Sequence, residues 1–178
     1  LWSRGLGDVY KRQVLMTGAF SGLGRAIAER LSSEGLEVVG IGRNSGRHLD
    51  SAGVLRAIEW DLSVPQRGVS LLRCWLDESD EPFFLILCAA SIDPLGPMGT
   101  LDVSAVERSV NVNLVSQALI LNECLRHIPD SRPLAGLAFV NSGAAGTPIR
   151  GWGMYCAGKA ATQILVQCVR QEQTQLPI

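Results

Sequence analysis

The chain has 178 residues, a formal net charge of −1, 47% hydrophobic residues and 19% charged residues. A chain of this length fits one domain with a real core, and this composition excludes long-range disorder. The near-neutral charge and the scattered basic residues argue against nucleic acid or an anionic membrane as the main partner. The apolar runs are too short to span a membrane.

Five cysteines occur without close pairs in the sequence. An odd number of cysteines without close pairs argues against a disulfide framework or a metal site. We interpret them as small core residues, and we expect a protein of a reducing, cytoplasmic compartment.

The two ends depart from the pattern of the rest. Residues 1–12 show no initiating Met, no signal-peptide layout and no periodicity, so we interpret them as an unstructured leader to a domain over residues 13–178. The sequence stops at residue 178, after a long helical pattern and where a further strand is expected. We therefore expect a fragment whose domain is incomplete at its C-terminus.

The first predicted strand, residues 14–16, runs into a turn that contains Gly18, Gly22 and Gly24, and an amphipathic helix follows. Glycines let backbone N–H groups approach a diphosphate, and the positive end of the helix faces the negative charge. A glycine triplet between a strand and a helix therefore predicts a phosphate cradle. The alternative is a connection that needs glycine only for its turn.

Strand and helix patterns then alternate, which predicts a doubly wound α/β fold with a parallel sheet covered on both faces. Residues 83–88 are apolar on both faces, as a central parallel strand must be. The other predicted strands are residues 37–42, 56–60 and 134–141, and the predicted helices are residues 64–76, 103–127 and 152–172.

The end of the second strand bears on the choice of nucleotide. In dinucleotide-binding folds an acid here holds the ribose hydroxyls of NAD, whereas a nearby Arg accommodates the extra phosphate of NADP. This chain has Gly42 in place of the acid, then Arg43, with Asn44 and Arg47 close behind. Because a guanidinium matches a phosphate in shape, we predict NADP(H). The alternative is that Arg43 is a solvated turn residue.

A second polar cluster consists of Ser142, Tyr155 and Lys159. The latter two are four residues apart on one predicted helix, so their side chains share a face. A free tyrosine titrates near pH 10, and an ammonium about 4 Å away favours a phenolate by roughly 4 kcal/mol at an effective dielectric near 20. Such a pair suits proton transfer near neutral pH. Taken singly, a Tyr-Lys pair more often marks a surface helix, and Ser142 could satisfy a turn.

Together these motifs resemble the short-chain dehydrogenase/reductase family. Residues 17–24 match its Thr-Gly-x-x-x-Gly-x-Gly motif, Tyr155 and Lys159 match its Tyr-x-x-x-Lys box, and Ser142 has the family's spacing to the tyrosine. Asp61 after the third strand and Asn113 in the long helix also match. Residues 151–161 are particularly similar to the sepiapterin and benzil reductases within the family.

The resemblance implies a Rossmann-type fold lacking its last strands and an NADP(H)-dependent oxidoreductase that reduces a small carbonyl to an alcohol by hydride transfer. Tyr155 would donate the proton, Ser142 would hold the carbonyl, Lys159 would assist the tyrosine and bind the nicotinamide ribose, and Asn113 would order a water that links Lys159 to solvent. The alternatives are a catalytically impaired nucleotide-binding fragment and an interaction module.

The resemblance also implies the cofactor contacts. The glycines would receive the diphosphate, Asp61 the adenine amino group and Arg43 the 2′-phosphate. The full set of expected cofactor-binding residues is Gly18, Ser21, Gly22, Leu23, Gly24, Arg43, Asp61, Leu62, Ala89, Tyr155 and Lys159.

Two departures from the family carry expectations. The sequence Cys-Ala-Ala-Ser at residues 88–91 replaces the family's Asn-Asn-Ala-Gly, so we expect weaker polar bracing of the cofactor pocket. Family members continue with two more strands, so we expect an unprotected sheet edge beside the fifth strand and a substrate pocket without one wall.

The long helix and the last helix are apolar on more than one side, which predicts burial. The family uses these helices as a four-helix subunit interface, so we expect a homodimer or homotetramer; burial under sequence beyond residue 178 is the alternative. The apolar positions are Val110, Leu114, Ala118 and Leu121, then Val112, Val115 and Leu119, and on the last helix Ala157, Ala160, Ala161, Ile164, Leu165 and Cys168.

Overall fold

The chain is built on a parallel sheet, and the computed structural model describes residues 12–43, 54–78, 80–127 and 133–178. The strands are β1 (Gln13–Thr17), β2 (Glu37–Gly42), β3 (Val54–Glu59), β4 (Phe83–Leu87) and β5 (Leu134–Phe139). Their spatial order is β3-β2-β1-β4-β5, and every neighbouring pair is parallel. The predicted doubly wound α/β class is confirmed.

The strand order reverses at β1, which pairs with β2 on one side and with β4 on the other. Connections from these strands therefore leave in opposite directions, and a crevice opens between them at the carboxyl ends of the strands. The two segments that border this crevice follow Thr17 and Leu87. The fold thus fixes the position of the candidate site before any functional side chain is considered.

In the described part of the chain, five α-helices cover the sheet: α1 (Gly22–Ser33), α2 (Val69–Asp77), α3 (Val103–Val110), α4 (Ser116–Arg126) and α5 (Gly153–Glu172). A 3₁₀ turn over Pro65–Gly68 precedes α2, because proline fits the first position of a helical turn but has no N–H to continue one. A second 3₁₀ turn, Gly143–Ala145, lies between β5 and α5.

The predicted long helix contains a π turn over Asn111–Val115, which joins α3 to α4. The backbone stays helical at both junctions, so the prediction of one long helical segment is correct in extent. The inserted turn shifts the faces of α4 relative to α3. A sequence pattern with a helical period does not locate such a turn, because one extra residue perturbs the period only locally.

The core lies on both faces of the central strands. Leu15, Val39 and Leu85 are fully buried against a cluster from α2, α4 and α5, and Met16 and Val38 pack with α1 on the other face. Of the five cysteines, only Cys124 is fully buried, and Cys74 and Cys168 are exposed. The expectation that the cysteines fill the core is therefore wrong for most of them.

Residues 1–11 of the predicted leader lie outside the described ranges, as do Asn44 and Arg47. Arg12 is described, and its carbonyl accepts a hydrogen bond from the N–H of Glu37 (3.0 Å). The pairing of the chain with β2 therefore starts one residue before β1.

The outer edge of β5 is partly covered by the chain's own C-terminal segment. The N–H of Leu137 donates to the carbonyl of Pro177 (2.9 Å), and Leu176 and Ile178 pack against the core. The expectation of an unprotected edge beside the fifth strand is therefore wrong where this segment lies. The covering contact gives the strand one main-chain partner on its outer side.

Part of the apolar surface of α5 stays exposed. Ile164 retains 59% of its accessible surface, and Ala157 and Cys168 on the same stripe are also exposed. Assembly through this helix and the α3–α4 segment stays a prediction. Among the described helices, none is both long enough and apolar enough to cross a membrane.

Trp60, which follows β3, packs closely against Gly68 in the turn before α2. Trp60 is 1% exposed, and a Cβ atom placed on Gly68 would lie 1.8 Å from its Cδ2 atom. We expect Gly68→Ala to lower the free energy of unfolding by roughly 1–3 kcal/mol or more, because the rigid indole cannot move aside in a packed core. Urea denaturation measures this change.

The matched control is Gly146→Ala, since a Cβ atom there meets nothing within 4 Å. Equal stability of the Gly68 and Gly146 variants would show that the Trp60 contact is not tight in solution.

Candidate active site

A cleft of about 1290 Å³ lies at the carboxyl ends of the strands. It contains every residue predicted from the sequence for the cofactor and for catalysis, except Asn113. The predicted residues that line it are Gly18, Ser21, Gly22, Leu23, Gly24, Arg43, Asp61, Leu62, Ala89, Ser142, Tyr155 and Lys159. The topology therefore brings the glycine turn and the Ser-Tyr-Lys cluster, more than 100 residues apart, into one cavity.

Two positions of the glycine turn, Gly18 and Gly24, are packed too closely for side chains. Gly18 has a φ of +73°, and a Cβ atom there would lie 2.9 Å from the backbone of Ala89. A Cβ atom on Gly24 would lie 2.0 Å from the carbonyl oxygen of Gly18. The start of α1 therefore packs directly against the residue that follows β1, at the floor of the cleft.

The N-terminus of α1 suits an anionic group. Ser21 is its N-cap residue, with an extended backbone, and its side chain makes no capping hydrogen bond. The first N–H groups of the helix therefore face the cleft without a side-chain acceptor. Together with the close glycine packing, this arrangement fits the diphosphate of a dinucleotide.

The segment that replaces the family's asparagine pair is held by polar groups from β1. The Thr17 hydroxyl oxygen accepts hydrogen bonds from the N–H groups of Cys88 and Ala89, both at 3.0 Å. Gln117 on α4 donates to the carbonyl of Ala89 (3.4 Å). The expectation of weaker bracing than in the family stays a prediction, and the sequence analysis missed the contribution of Gln117.

Asn113 is buried behind the cleft, at 3% exposure. Its side-chain oxygen accepts from the N–H of Ser91 (2.8 Å), and its amide donates to the Ser91 carbonyl (2.8 Å) and to Ser109 (3.2 Å). Its backbone carbonyl accepts from the Thr162 hydroxyl (2.7 Å). The side chain thus braces the loop after β4, and the role predicted for Asn113 in ordering a water stays a prediction.

Helix α5 is seated directly on the π turn. A Cβ atom on Gly158 would lie 2.6 Å from Cβ of Asn113, so only glycine permits this approach. Lys159 follows Gly158, and Tyr155 lies one turn earlier on the helix. The contact therefore fixes the height of both side chains above the sheet.

Lys159 is 4% exposed, and its ammonium group donates to the carbonyl of Val140 (2.8 Å). The Nζ atom also lies 5.0 Å from the centroid of the Phe139 ring. Burial lowers the pKa of Lys159, and a smaller electrostatic contribution from Cys88 raises it. Burial likewise raises the pKa of the Cys88 thiol, against a lowering by Lys159.

Tyr155 packs edge-on against Trp152, with ring centroids 6.0 Å apart and planes at 76°. The Ser142 hydroxyl oxygen accepts from the N–H of Ala144 (3.2 Å), at the start of a 3₁₀ turn. That bond uses a lone pair of Ser142 and leaves its hydroxyl hydrogen available for a carbonyl oxygen.

The residues expected at the adenosine end lie after β2 and β3. Arg43 is exposed, and the N–H of Trp60 donates to the carbonyl of Gly42 (3.1 Å), which joins the two strand ends. The Asp61 carboxylate accepts from the N–H of Ser63 (2.9 Å), which orients it. The loop is anchored from behind, since the Ser116 hydroxyl donates to the Leu62 carbonyl (2.7 Å).

Several supporting residues escaped the sequence analysis, and they share one property. Ser116, Gln117 and Thr162 are polar residues at fully buried helical positions. Polar residues among apolar ones on a buried helix face are the signal that could have identified them, because buried polar groups need partners. Among the described residues, no group of three or more side chains could hold a metal ion.

Comparison with known proteins agrees with this geometry. The family model described as "short chain dehydrogenase" matches residues 12–178. A doubly wound sheet with a glycine turn at its switch point defines the class of dinucleotide-binding α/β proteins. The chain belongs to the short-chain dehydrogenase family of oxidoreductases.

Individual relatives cover most of the chain. It is 24% identical over 173 residues to a benzil reductase ((S)-benzoin forming) of Bacillus cereus, which aligns with 92% of this chain and 70% of the relative. It is 30% identical over 178 residues to the sepiapterin reductase of Mus musculus, with 89% of this chain and 68% of the relative covered.

A solved structure of a short-chain dehydrogenase/reductase from Burkholderia vietnamiensis superposes with a TM-score of 0.74 at 26% identity. The alignment covers 89% of this chain and 76% of that one.

The buried ammonium of Lys159 predicts a pH dependence of stability. Because folding lowers its pKa below the ordinary 10.5, the unfolded chain binds more protons between the lowered value and 10.5, so stability rises with pH there. Below the lowered value both states are protonated, and the folded state bears the full cost of burial. We expect the unfolding free energy of wild type, relative to Lys159→Met, to increase with pH across this window.

Denaturant titrations of both proteins at a series of alkaline pH values measure the difference. A difference that stays constant or falls with rising pH would show that burial does not disfavour the charged lysine.

Proposed function

We propose that the chain is an NADP(H)-dependent reductase that converts a carbonyl to an alcohol, with Tyr155 as the proton donor. The observation that carries the proposal is the meeting of Ser142, Tyr155 and Lys159 with the glycine turn in one cleft. A nucleotide-binding module without catalysis has no need of this cluster. The names of the relatives, benzil reductase and sepiapterin reductase, support reduction of a carbonyl compound.

The residues around the cleft would bind the nucleotide, hold the substrate carbonyl and deliver the proton. The glycine turn and the start of α1 would hold the diphosphate, Asp61 the adenine amino group and Arg43 the 2′-phosphate. Bound NADPH supplies the hydride. Ser142 would donate a hydrogen bond to the substrate carbonyl, and Tyr155 would deliver the proton to the same oxygen as negative charge develops on it.

Lys159 supports the tyrosine through its fixed position and its proton. One N–H of the ammonium is committed to Val140 at 2.8 Å, which leaves two donors for a ribose hydroxyl and the phenol oxygen. Because burial lowers the pKa of Lys159, its proton is held less firmly than that of a solvated lysine. Lys159 can therefore pass a proton to the Tyr155 oxygen more readily, after Tyr155 has given its own proton to the substrate.

The NADP preference rests on Arg43 and on the lack of an acid at the end of β2. Arg43 lines the cleft near Asp61, and glycine precedes it where an acid would repel a phosphate. A guanidinium can bind a 2′-phosphate with paired, charge-assisted hydrogen bonds.

We expect Tyr155→Phe to lower the turnover number by roughly 10²–10⁴, the usual contribution of a general acid. The phenyl ring keeps the edge contact with Trp152, so stability should stay near wild type and NADPH binding should weaken far less than turnover. Benzil-dependent oxidation of NADPH, together with an NADPH fluorescence titration, measures both quantities. Equal turnover in the variant would remove Tyr155 from the mechanism, and NADPH binding without any wild-type turnover of carbonyls would favour a binding module.

We expect Arg43→Ala to weaken NADPH binding by roughly tenfold, because a charge-assisted hydrogen bond is worth about 1.5–3 kcal/mol before solvent replaces part of it. NADH binding should not change, since NADH lacks the 2′-phosphate.

The matched control is Arg30→Ala, which removes a cation from the last turn of α1, at the opposite end from the glycine turn. An equal loss of NADPH and NADH affinity in the Arg43 variant would contradict its assignment to the 2′-phosphate.

A further inference from the structure

Gln117 occupies an unusual position in the core. It lies in the first turn of α4 and is 1% exposed. Its side chain has three polar partners from three different segments. The oxygen accepts from the Thr17 hydroxyl (3.3 Å), and the amide nitrogen donates to the carbonyls of Ala89 (3.4 Å) and Val112 (3.1 Å).

The direction of each bond follows from donor and acceptor counting. The Thr17 oxygen already accepts two N–H groups, from Cys88 and Ala89, so its own hydrogen must go to an acceptor. The Gln117 oxygen is that acceptor. The two hydrogens of its amide nitrogen are then matched to two carbonyl oxygens. Each polar atom of this side chain is used, and none can reverse its role.

Each of these three partners lines the cleft or lies next to a residue that lines it. Thr17 immediately precedes Gly18, Ala89 faces Gly18 across the crevice, and Val112 is in the π turn; Gly18, Ala89 and Val112 all line the cleft. In the π turn the Val112 carbonyl accepts from the Gln117 amide nitrogen (3.1 Å). The separation between the glycine turn and Ala89 is critical, because a Cβ atom on Gly18 would already be 2.9 Å from that backbone.

We propose that Gln117 is a positioning residue that sets the width of the cleft floor on which the nucleotide lies. It holds Thr17, Ala89 and the π turn at fixed separations without touching the nucleotide. The proposal rests on the proposed function, since the ligand is taken to be NADP(H). It assigns a role in nucleotide affinity to a side chain that shares no motif with the cofactor site.

Gln117→Glu gives a test with a pH signature. The glutamate keeps the oxygen that accepts from Thr17, but its second oxygen faces the carbonyls of Ala89 and Val112. A protonated carboxyl can donate to one of them, whereas an ionised carboxylate is repelled by both. Burial among carbonyl oxygens raises the pKa of such a carboxyl above its ordinary value near 4.3.

We expect the variant to bind NADP⁺ roughly tenfold more weakly than wild type at about pH 8, as for a buried polar group left without its partner. The ratio to wild type should approach one at about pH 5, where the carboxyl is protonated. Isothermal titration calorimetry at both pH values gives the ratio of the two dissociation constants, variant to wild type. Protonation of the nucleotide affects both proteins equally and cancels in this ratio. The control is Gln167→Glu, which places the same charge at an exposed position of α5 and should match wild type at both values.

A second measurement concerns the protein without nucleotide. The Cys88 and Ala89 amides should exchange with solvent faster in Gln117→Leu and Thr17→Val than in wild type, whereas the β1 and β4 amides should keep their protection. Thr17→Ser retains the hydroxyl and should restore slow exchange. If Gln117→Leu does not fold, amide exchange is measured in Gln117→Glu and Thr17→Val instead and compared with wild type.

The outcomes separate the two proposals. Wild-type affinity for NADP⁺ in Gln117→Glu at both pH values, or unchanged Cys88 and Ala89 exchange in the Gln117 and Thr17 variants, overturns the positioning role. A pH-independent loss of affinity that tracks a uniform loss of stability also overturns it, since it shows a structural contribution alone. Failure of wild type to bind any NADP(H), with selective exchange still observed, overturns the proposed function and leaves the bracing by Gln117 established.

Discussion

The structure depends on the close approach of two backbone segments at the point where the strand order reverses. The glycine turn after β1 and the segment after β4 meet with no room for a side chain on Gly18. The Thr17 hydroxyl holds this approach by accepting two consecutive N–H groups across the crevice. Apolar packing on both faces of the sheet supplies the driving force for folding, but this polar contact determines the shape of the cleft floor.

The second constraint is the burial of Lys159 beside that floor. The chain places an ammonium on the inner face of α5, with the Val140 carbonyl as its fixed acceptor and the Phe139 ring beside it. A buried cation is costly, and its lowered pKa expresses that cost. The same cost makes the site receptive to anionic or hydrogen-bond-accepting groups. Burial of Lys159 therefore lowers the stability of the protein without ligand, and it favours the chemistry proposed for the cleft.

Local sequence patterns were sufficient for the sheet, the helices, the glycine turn and the Tyr-Lys pair, whereas the other predicted residues of the cleft came from the family resemblance. Strand and helix periods, a glycine triplet and a Tyr-Lys spacing are local signals, and the parallel topology then assembles them at one sheet edge. The π turn was not predicted, because one extra residue perturbs the helical period only locally and its contact from the Thr162 hydroxyl to the Asn113 carbonyl joins residues far apart in the chain. The cover over β5 was missed for a similar reason, since the Pro177 carbonyl contacts a strand some 40 residues earlier in the chain. Long-range polar pairing has no periodic signature.

The seat of α5 on the π turn limits how this cleft can be altered. Because Gly158 lies directly on Asn113, the helix that bears Tyr155 and Lys159 cannot be tilted without displacing the loop that Asn113 clamps at Ser91. Variation of the cleft is thereby directed away from the helix and into the loop over residues 92–100, where Asp93 and Pro94 line the cleft and the Gly96 N–H donates to the Gly151 carbonyl. Libraries restricted to residues 92–100 would vary the wall of the cleft and leave the helix that bears Tyr155 and Lys159 unchanged.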